Sequence, residues 1–341
     1  VPQVESEGVA RRVDTLGVFA FRYSDDHGRS WSARHEIPQR PIADDSLNNF
    51  GGSTLFFWSV AKPVIDRGAA YIGFARVTRW GMPGTLVRSR GFFLYSENIL
   101  TERDPKKIRW EMRPDGDTGL VAPKGPISEE TNVAPLSDGS LYAVYRTIDG
   151  YICHAYSRDR GRTWTGPEYA TYSPGGRRIK HPRAASFVRR FSNGKYLLWY
   201  HNHGGEAVLA EESWPYYMER NPGWVAGGIE KEGHIYWSEP EILLYDDDPA
   251  VRMSYPDFIE DDSRFYITET QKTVARVLDT TRSFLEDRWG QFEKHEVTRE
   301  GLALSLATPA PGAVVRLPRL PDLGAREGFT FEFELFLKEL S

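Results

Sequence analysis

One cysteine, Cys153, stands among 341 residues, so no intrachain disulfide can form and stability has to come from packing. An isolated cysteine in an aromatic strand-like run behaves as a small core hydrophobe, and that is the expectation for Cys153. The chain also has no apolar run long enough to cross a membrane as a helix. Its opening, VPQVESEGVARR, is not built like a signal peptide. No Gly-x-Gly-x-x-Gly fingerprint, phosphate loop or Gly-x-Ser-x-Gly elbow occurs, which argues against a nucleotide cofactor and against serine hydrolysis. The formal net charge of −5 is mild and acidic, the wrong sign for a chain that binds nucleic acid as a whole.

What the chain has in quantity is aromatic residues: 10 Trp, 17 Tyr and 18 Phe, together 13% of the sequence. Short aromatic or β-branched runs alternate with Gly, Asp, Asn and Ser turns, and no long helical period competes with them, so the fold class is all-β. One peptide occurs twice, as YSDDHGRSW at Tyr23–Trp31 and YSRDRGRTW at Tyr156–Trp164. It reads as a hairpin clasp. Asp26 and Asp159 accept from their own turns, Gly28 and Gly161 permit positive φ, and Trp31 and Trp164 return the chain to an apolar layer. Looser relatives end on Trp110 and Trp289 or keep only the aromatic-Ser start of Ile235–Tyr245. Recurrence on the scale of one four-stranded unit points to a β-propeller.

From about Leu302 the texture becomes rich in Ala, Pro and Leu and ends on the alternating run FTFEFELFL. The propeller is therefore expected over residues 1–298, its first blade incomplete if the chain begins late. Residues 299–341 are expected to form a linker and the start of a jelly-roll or laminin-G-like module, or else an extra strand closing the propeller.

The Ser-x-Asp-x-Gly-x-(Ser/Thr)-Trp clasps resemble the Asp boxes of the sialidase (neuraminidase) superfamily, and the resemblance covers most of Gly17 to about Glu293. Asp boxes occur also in propellers that are not sialidases, so activity has to be read from the site. In SEETNVAPLSDGSLYAVYRTIDG (Ser128–Gly150), Glu130 matches the glutamate that polarises the family's tyrosine nucleophile. Arg146 matches one of three arginines that clamp a substrate carboxylate. Tyr255-Pro-Asp-Phe resembles the peptide that carries the nucleophile, and Arg220 resembles a further clamp arginine. The bland alternatives are a structural ion pair for Glu130 and Arg146 and a strand-packing role for Tyr255. Two departures stand out. The family's first arginine is not found, and the place of its acid/base aspartate carries Lys62, leaving Asp44 and Asp45 as substitutes.

The resemblance implies a six-bladed propeller and retaining hydrolysis of an acidic sugar from the end of a glycan, with no cofactor, in an extracellular or periplasmic setting. Two rivals remain open. Lys180, His181, Arg183, His201 and His203 suit a polysaccharide lyase or a uronic-acid-directed glycosidase in which His and Tyr act as acid and base. A strand-end hydrogen-bonding role for His181 and His201 is the plain alternative. His201 and His203 share a strand face but lack acidic co-ligands at a suitable spacing, so no metal is expected. The other rival is a glycan-binding propeller without catalysis, suggested by Lys62. The expected partner in every case is a glycan; no nucleic acid and no membrane span are expected, and the oligomeric state is left open.

Overall fold

The two clasps fold alike in the computed structural model, which describes residues 19–48, 51–53, 55, 57–80, 86–205, 220–248, 250–262, 264–270, 274–293 and 313–314. Asp26 accepts from Ser30 N at 2.8 Å and from Ser30 Oγ at 2.6 Å; Asp159 accepts from Thr163 N at 2.9 Å and Thr163 Oγ1 at 2.6 Å. In each, a serine hydroxyl caps the glycine, Gly28 N to Ser24 Oγ and Gly161 N to Ser157 Oγ, both at 2.7 Å. The glycines lie at φ 82° and 85°, a region open to them at little steric cost. These bonds hold the Asp26 carboxyl down at about 2. The tryptophans differ: Trp164 stacks on Phe93 with centroids 5.0 Å apart, whereas Trp31 is 60% exposed, so only the second clasp reaches an apolar layer as expected.

The strands form five antiparallel groups in chain order. A two-stranded ladder, β1 (Ala20–Phe21) and β2 (His35–Glu36), comes first. The second sheet holds β3 (Phe57–Trp58), β4 (Val64–Asp66), β5 (Ala69–Trp80), β6 (Leu86–Ser96) and β7 (Glu111–Arg113). The third holds β8 (Glu129–Pro135), β9 (Leu141–Arg146), β10 (Cys153–Ser157) and β11 (Glu168–Tyr169). The fourth comprises β12 (Phe187–Arg190), β13 (Tyr196–Tyr200), β14 (Gly223–Lys231), β15 (His234–Trp237) and β16 (Glu241–Leu244). The fifth comprises β17 (Ser254–Asp261), β18 (Arg264–Thr270) and β19 (Ala275–Thr280). Each group is antiparallel and follows chain order, with β3 and β4 both pairing β5 and β15 and β16 both pairing β14, the pattern of propeller blades. Four blades of three or more strands are thus present among the described residues.

Aromatic residues fill the seams between successive blades, which explains their abundance. Tyr71, Phe93 and Tyr145 pack between the second and third blades. Tyr142, Tyr196 and Trp237 pack between the third and fourth. Phe191, Trp199, Phe258 and Trp289 do so between the fourth and fifth. Cys153 is fully buried in this core, as expected. Gly73 is required where β5 meets β8, since a Cβ there would stand 1.9 Å from Thr131 O.

Polar fasteners join the same blades. Arg67 donates to the carbonyls of Ser137 at 3.0 Å and Asp138 at 3.1 Å. Ser137 in turn donates through N and Oγ to Glu230 at 2.9 and 2.6 Å. Ser192 repeats that grip on Glu260 through N at 2.9 Å and through Oγ.

Trp289 does not close a hairpin. It lies on α1 (Arg282–Gly290), whose N-cap Thr281 accepts from Phe284 N, and its indole donates to Tyr196 O at 2.7 Å. The hydroxyl cap and the buried Leu285 and Trp289 select a helix where the aromatic spacing alone suggests another clasp. The chain divides into two compact units, Val1–Gln291 and Phe292–Ser341. Nearly all of the second unit, and with it the expected linker and module, lies outside the described residues. No helix among the described residues is long and apolar enough to span a membrane.

Candidate active site

Two β-bulges build the centre of the site. On β8 the register slips between Glu129 and Asn132, and on β17 it slips between Ser254 and Asp257, the span that holds Tyr255. Each bulge holds one non-glycine residue in the left-handed region, Glu130 and Tyr255, both at φ 51°. Such a backbone costs roughly 1 kcal/mol or more, and here it turns the two side chains to each other. The Tyr255 hydroxyl donates to Glu130 Oε1 at 3.3 Å. The same oxygen accepts from Trp58 Nε1 at 3.0 Å and is paired with Arg146 Nη1 at 2.8 Å. Burial, and next the Glu130 carboxylate, push the Tyr255 phenol above its ordinary value against the pull of Arg146 and Arg220, so it is neutral at ordinary pH.

Arg146 ends β9 and is gripped from its other side by Glu129, through Nε at 3.0 Å and through Nη2. Glu129 is fully buried and also meets Arg183 Nη2 at 3.6 Å and Ser89 Oγ at 3.3 Å. Burial alone would raise its carboxyl, but the guanidiniums of Arg146 and Arg183 outweigh that and hold it below its ordinary value. Arg220 completes the group. It donates to Ser254 Oγ at 2.7 Å and to Arg183 O at 3.4 Å, and its charge acts on the Tyr255 phenol. Three guanidiniums and two carboxylates thus surround one neutral tyrosine, leaving one positive charge in excess among the described residues.

Of the residues singled out in the sequence, the structure brings together Tyr255, Glu130, Arg146, Arg220 and Arg183. The others it commits elsewhere. Asp45 is buried and paired with Arg76 at 3.2 Å, while it accepts from Ile42 N at 2.8 Å. Its carboxyl is raised, by burial above all. Asp44 binds Arg90 Nε at 2.6 Å and Arg88 Nε at 3.1 Å. Both aspartates are thus paired with arginines of the second blade. Lys62 pairs with Asp257 from β17, which occupies it with a protein carboxylate instead of a substrate's.

His181 and His201 are buried and stacked, with centroids 5.7 Å apart. His181 Nε2 lies 2.8 Å from Ala184 O, while its Nδ1 accepts from His201 N at 3.1 Å. His201 Nδ1 lies 3.1 Å from Pro222 O. Burial depresses both imidazoles, His201 to about 3. They are neutral struts, which is the plain alternative noted above.

Sequence reasoning missed Glu129. Its signal was in view, a second glutamate beside Glu130, but only the bulge decides which carboxylate faces the tyrosine and which supports the arginines. Trp58 was missed as well, because an indole beside a glutamate 72 positions away leaves no local pattern.

Residues 4–267 match the BNR repeat-like domain. The chain belongs to that family. Its fold is that of sialidase propellers. The NanB sialidase of Streptococcus pneumoniae superposes with a TM-score of 0.52 at 16% identity, covering 77% of this chain and 36% of that one. The intramolecular trans-sialidase of Ruminococcus gnavus does so with 0.51 at 17% identity, covering 78% and 50%. This BNR-family chain thus spans between about a third and half of those proteins. A search of curated protein sequences finds no match.

Proposed function

We propose that the chain is a glycosidase that removes a terminal acidic sugar from glycans by a retaining, sialidase-like mechanism in an extracellular or periplasmic setting. The observation that carries this reading is the contact of Tyr255 with a Glu130 oxygen that Arg146 also holds. A neutral phenol is a poor nucleophile, and a carboxylate in hydrogen-bond reach is what makes it a usable one. Tyr255 attacks the anomeric carbon while its proton passes to Glu130 Oε1. The bond to the leaving oxygen breaks, and that oxygen takes a proton from a separate acid. Water then attacks the same carbon, giving its proton to the conjugate base of that acid, and the sugar–tyrosine bond breaks as Glu130 returns the phenol proton.

Arg146, Arg183 and Arg220 supply the clamp for the substrate carboxylate, and their single excess charge matches one anion. The acid is not among the residues joined at Tyr255. An aryl leaving group needs little help from one, so a fluorogenic aryl α-sialoside is the test substrate. Release of the fluorophore by the wild type and its loss in Tyr255→Phe is the expected result. Ultraviolet absorbance of an unsaturated product from a uronate oligosaccharide, without sialoside turnover, would overturn it in favour of a lyase.

A second reading is a glycan-binding propeller without catalysis. It is favoured by one observation: Lys62, at the position where the family resemblance places the acid, is neutralised by Asp257. It predicts binding of acidic sugars with no turnover of either substrate.

A further inference from the structure

A cleft of about 780 Å³ runs along the outer strands of the third blade, between β10 and β11 on one side and β15 of the fourth blade on the other. Its size falls within the usual range of ligand sites, roughly 300–1,000 Å³. None of its lining residues belongs to the cluster around Tyr255. Its wall carries His154, Tyr156 and Tyr169, and its lips carry Arg158, Arg178 and Glu168.

Buried groups orient His154. The buried Tyr142 ring packs against Trp237 with centroids 6.1 Å apart. Its hydroxyl lies 3.3 Å from His154 Nδ1 and can donate to it. With Nδ1 accepting, Nε2 carries the ring proton. Nε2 has Glu168 Oε2 at 3.8 Å across the cleft, beyond hydrogen-bond reach. Burial, and next the nearby His234, keep the imidazole neutral, near 4. The result is a fixed donor facing into the cleft, in a wall where the Arg178 guanidinium lies over the Tyr169 ring at 5.2 Å and Arg158 over Tyr156 at 5.5 Å.

One wall of the cleft is tied to the connection that follows β9. Tyr169 donates to Asp149 Oδ2 at 2.8 Å, and Asp149 lies in the connection that follows Arg146 at the end of β9. A chain leaving the clamp over this edge of the third blade would meet Tyr169 and Arg178 first. Two arginines against one glutamate give the cleft a positive balance, and aromatic walls with a fixed donor suit a ring bearing hydroxyl and carboxylate acceptors.

We propose that this cleft is a second carbohydrate site, binding the remote units of an acidic oligosaccharide whose end lies at Tyr255. The proposal rests on the glycosidase reading for the identity of the chain, though it is tested by binding alone. Affinity is measured for N-acetylneuraminic acid and its α2,8-linked tetramer, and for galacturonic acid and its tetramer, with sialoside turnover followed in the same samples.

At least a ten-fold tighter binding of one tetramer over its monomer is expected, since the second contact is then intramolecular. Arg178→Ala, at an exposed position, and His154→Phe, which keeps a ring in place, should each erase most of that advantage while leaving monomer binding and aryl sialoside turnover unchanged. Glu168→Gln should increase it, an effect that a purely structural role would not produce. The arm that shows the length effect identifies the sugar.

Equal affinity for monomer and tetramer in the wild type overturns the proposal, as does a full length effect in both Arg178→Ala and His154→Phe. Turnover without a length effect removes the cleft and leaves the glycosidase reading standing. A length effect without turnover removes the glycosidase reading and leaves the cleft.

Discussion

Glu130 and Tyr255 occupy matching bulges on the first strands of two different blades, each at φ 51°, and meet through a 3.3 Å hydrogen bond. The pairing joins positions 125 residues apart, so it exists only when the third and fifth blades are both in place. Replacing Tyr255 by Phe should lower sialoside turnover by about 10³-fold or more while the thermal midpoint changes little. Retention of the wild-type rate in the variant would remove Tyr255 from the chemistry.

Glu129 is the buried anion on which Arg146 and Arg183 both lean. Glu129→Gln keeps the volume but leaves two buried guanidiniums short of a counter-charge. A loss of roughly 3–5 kcal/mol in urea unfolding is expected, together with a rise in KM for acidic substrates. A variant as stable as the wild type would show that the arginines do not depend on it.

Stability should fall on the acid side. The imidazoles of His201 and His154 lie at about 3 and about 4 in the folded chain against 6.5 ordinarily, and His181 lies well below 6.5 too. Above pH 6.5 these rings are neutral in both states and contribute no pH dependence. Below it the unfolded chain binds protons that the folded chain refuses, so about 1.4 kcal/mol is lost per pH unit and per imidazole, down to each folded value. Urea midpoints at pH values of about 7.5 and about 5 measure the slope, and His201→Gln should flatten it.

The two clasps should differ in worth. Asp159→Ala removes the bonds from Ser157 and Thr163 beneath a tryptophan stacked on Phe93. A cost of about 1–2 kcal/mol is expected. Asp26→Ala cuts the equivalent bonds beside a tryptophan left 60% exposed, and should lower the thermal midpoint less. Equal losses would mean that the tryptophan's burial adds nothing to the clasp.

The clasps were legible in the sequence because every bond in them closes within nine residues. Glu130, Arg146 and Tyr255 were legible through a family resemblance, and Arg183 as one of several cations near a histidine. The division of labour between Glu129 and Glu130 was not, since two adjacent glutamates look alike until a bulge gives them different neighbours. Nor were the fates of Asp44, Asp45 and Lys62, each settled by a partner at least 31 positions away. The exposure of Trp31 and the helix around Trp289 likewise depend on which surfaces happen to lie opposite.

The fasteners from Arg67 through Ser137 and Glu230, and from Ser192 to Glu260, run in one direction from the second blade to the fifth. The third and fourth blades therefore each carry a plug for the next and a socket for the one before, while the second supplies a plug and the fifth a socket. An extra blade inserted anywhere along this run would need both halves of the coupling, and a blade deleted from it would leave a plug facing the wrong socket. The number and order of these blades are thereby guarded by side chains far from any substrate.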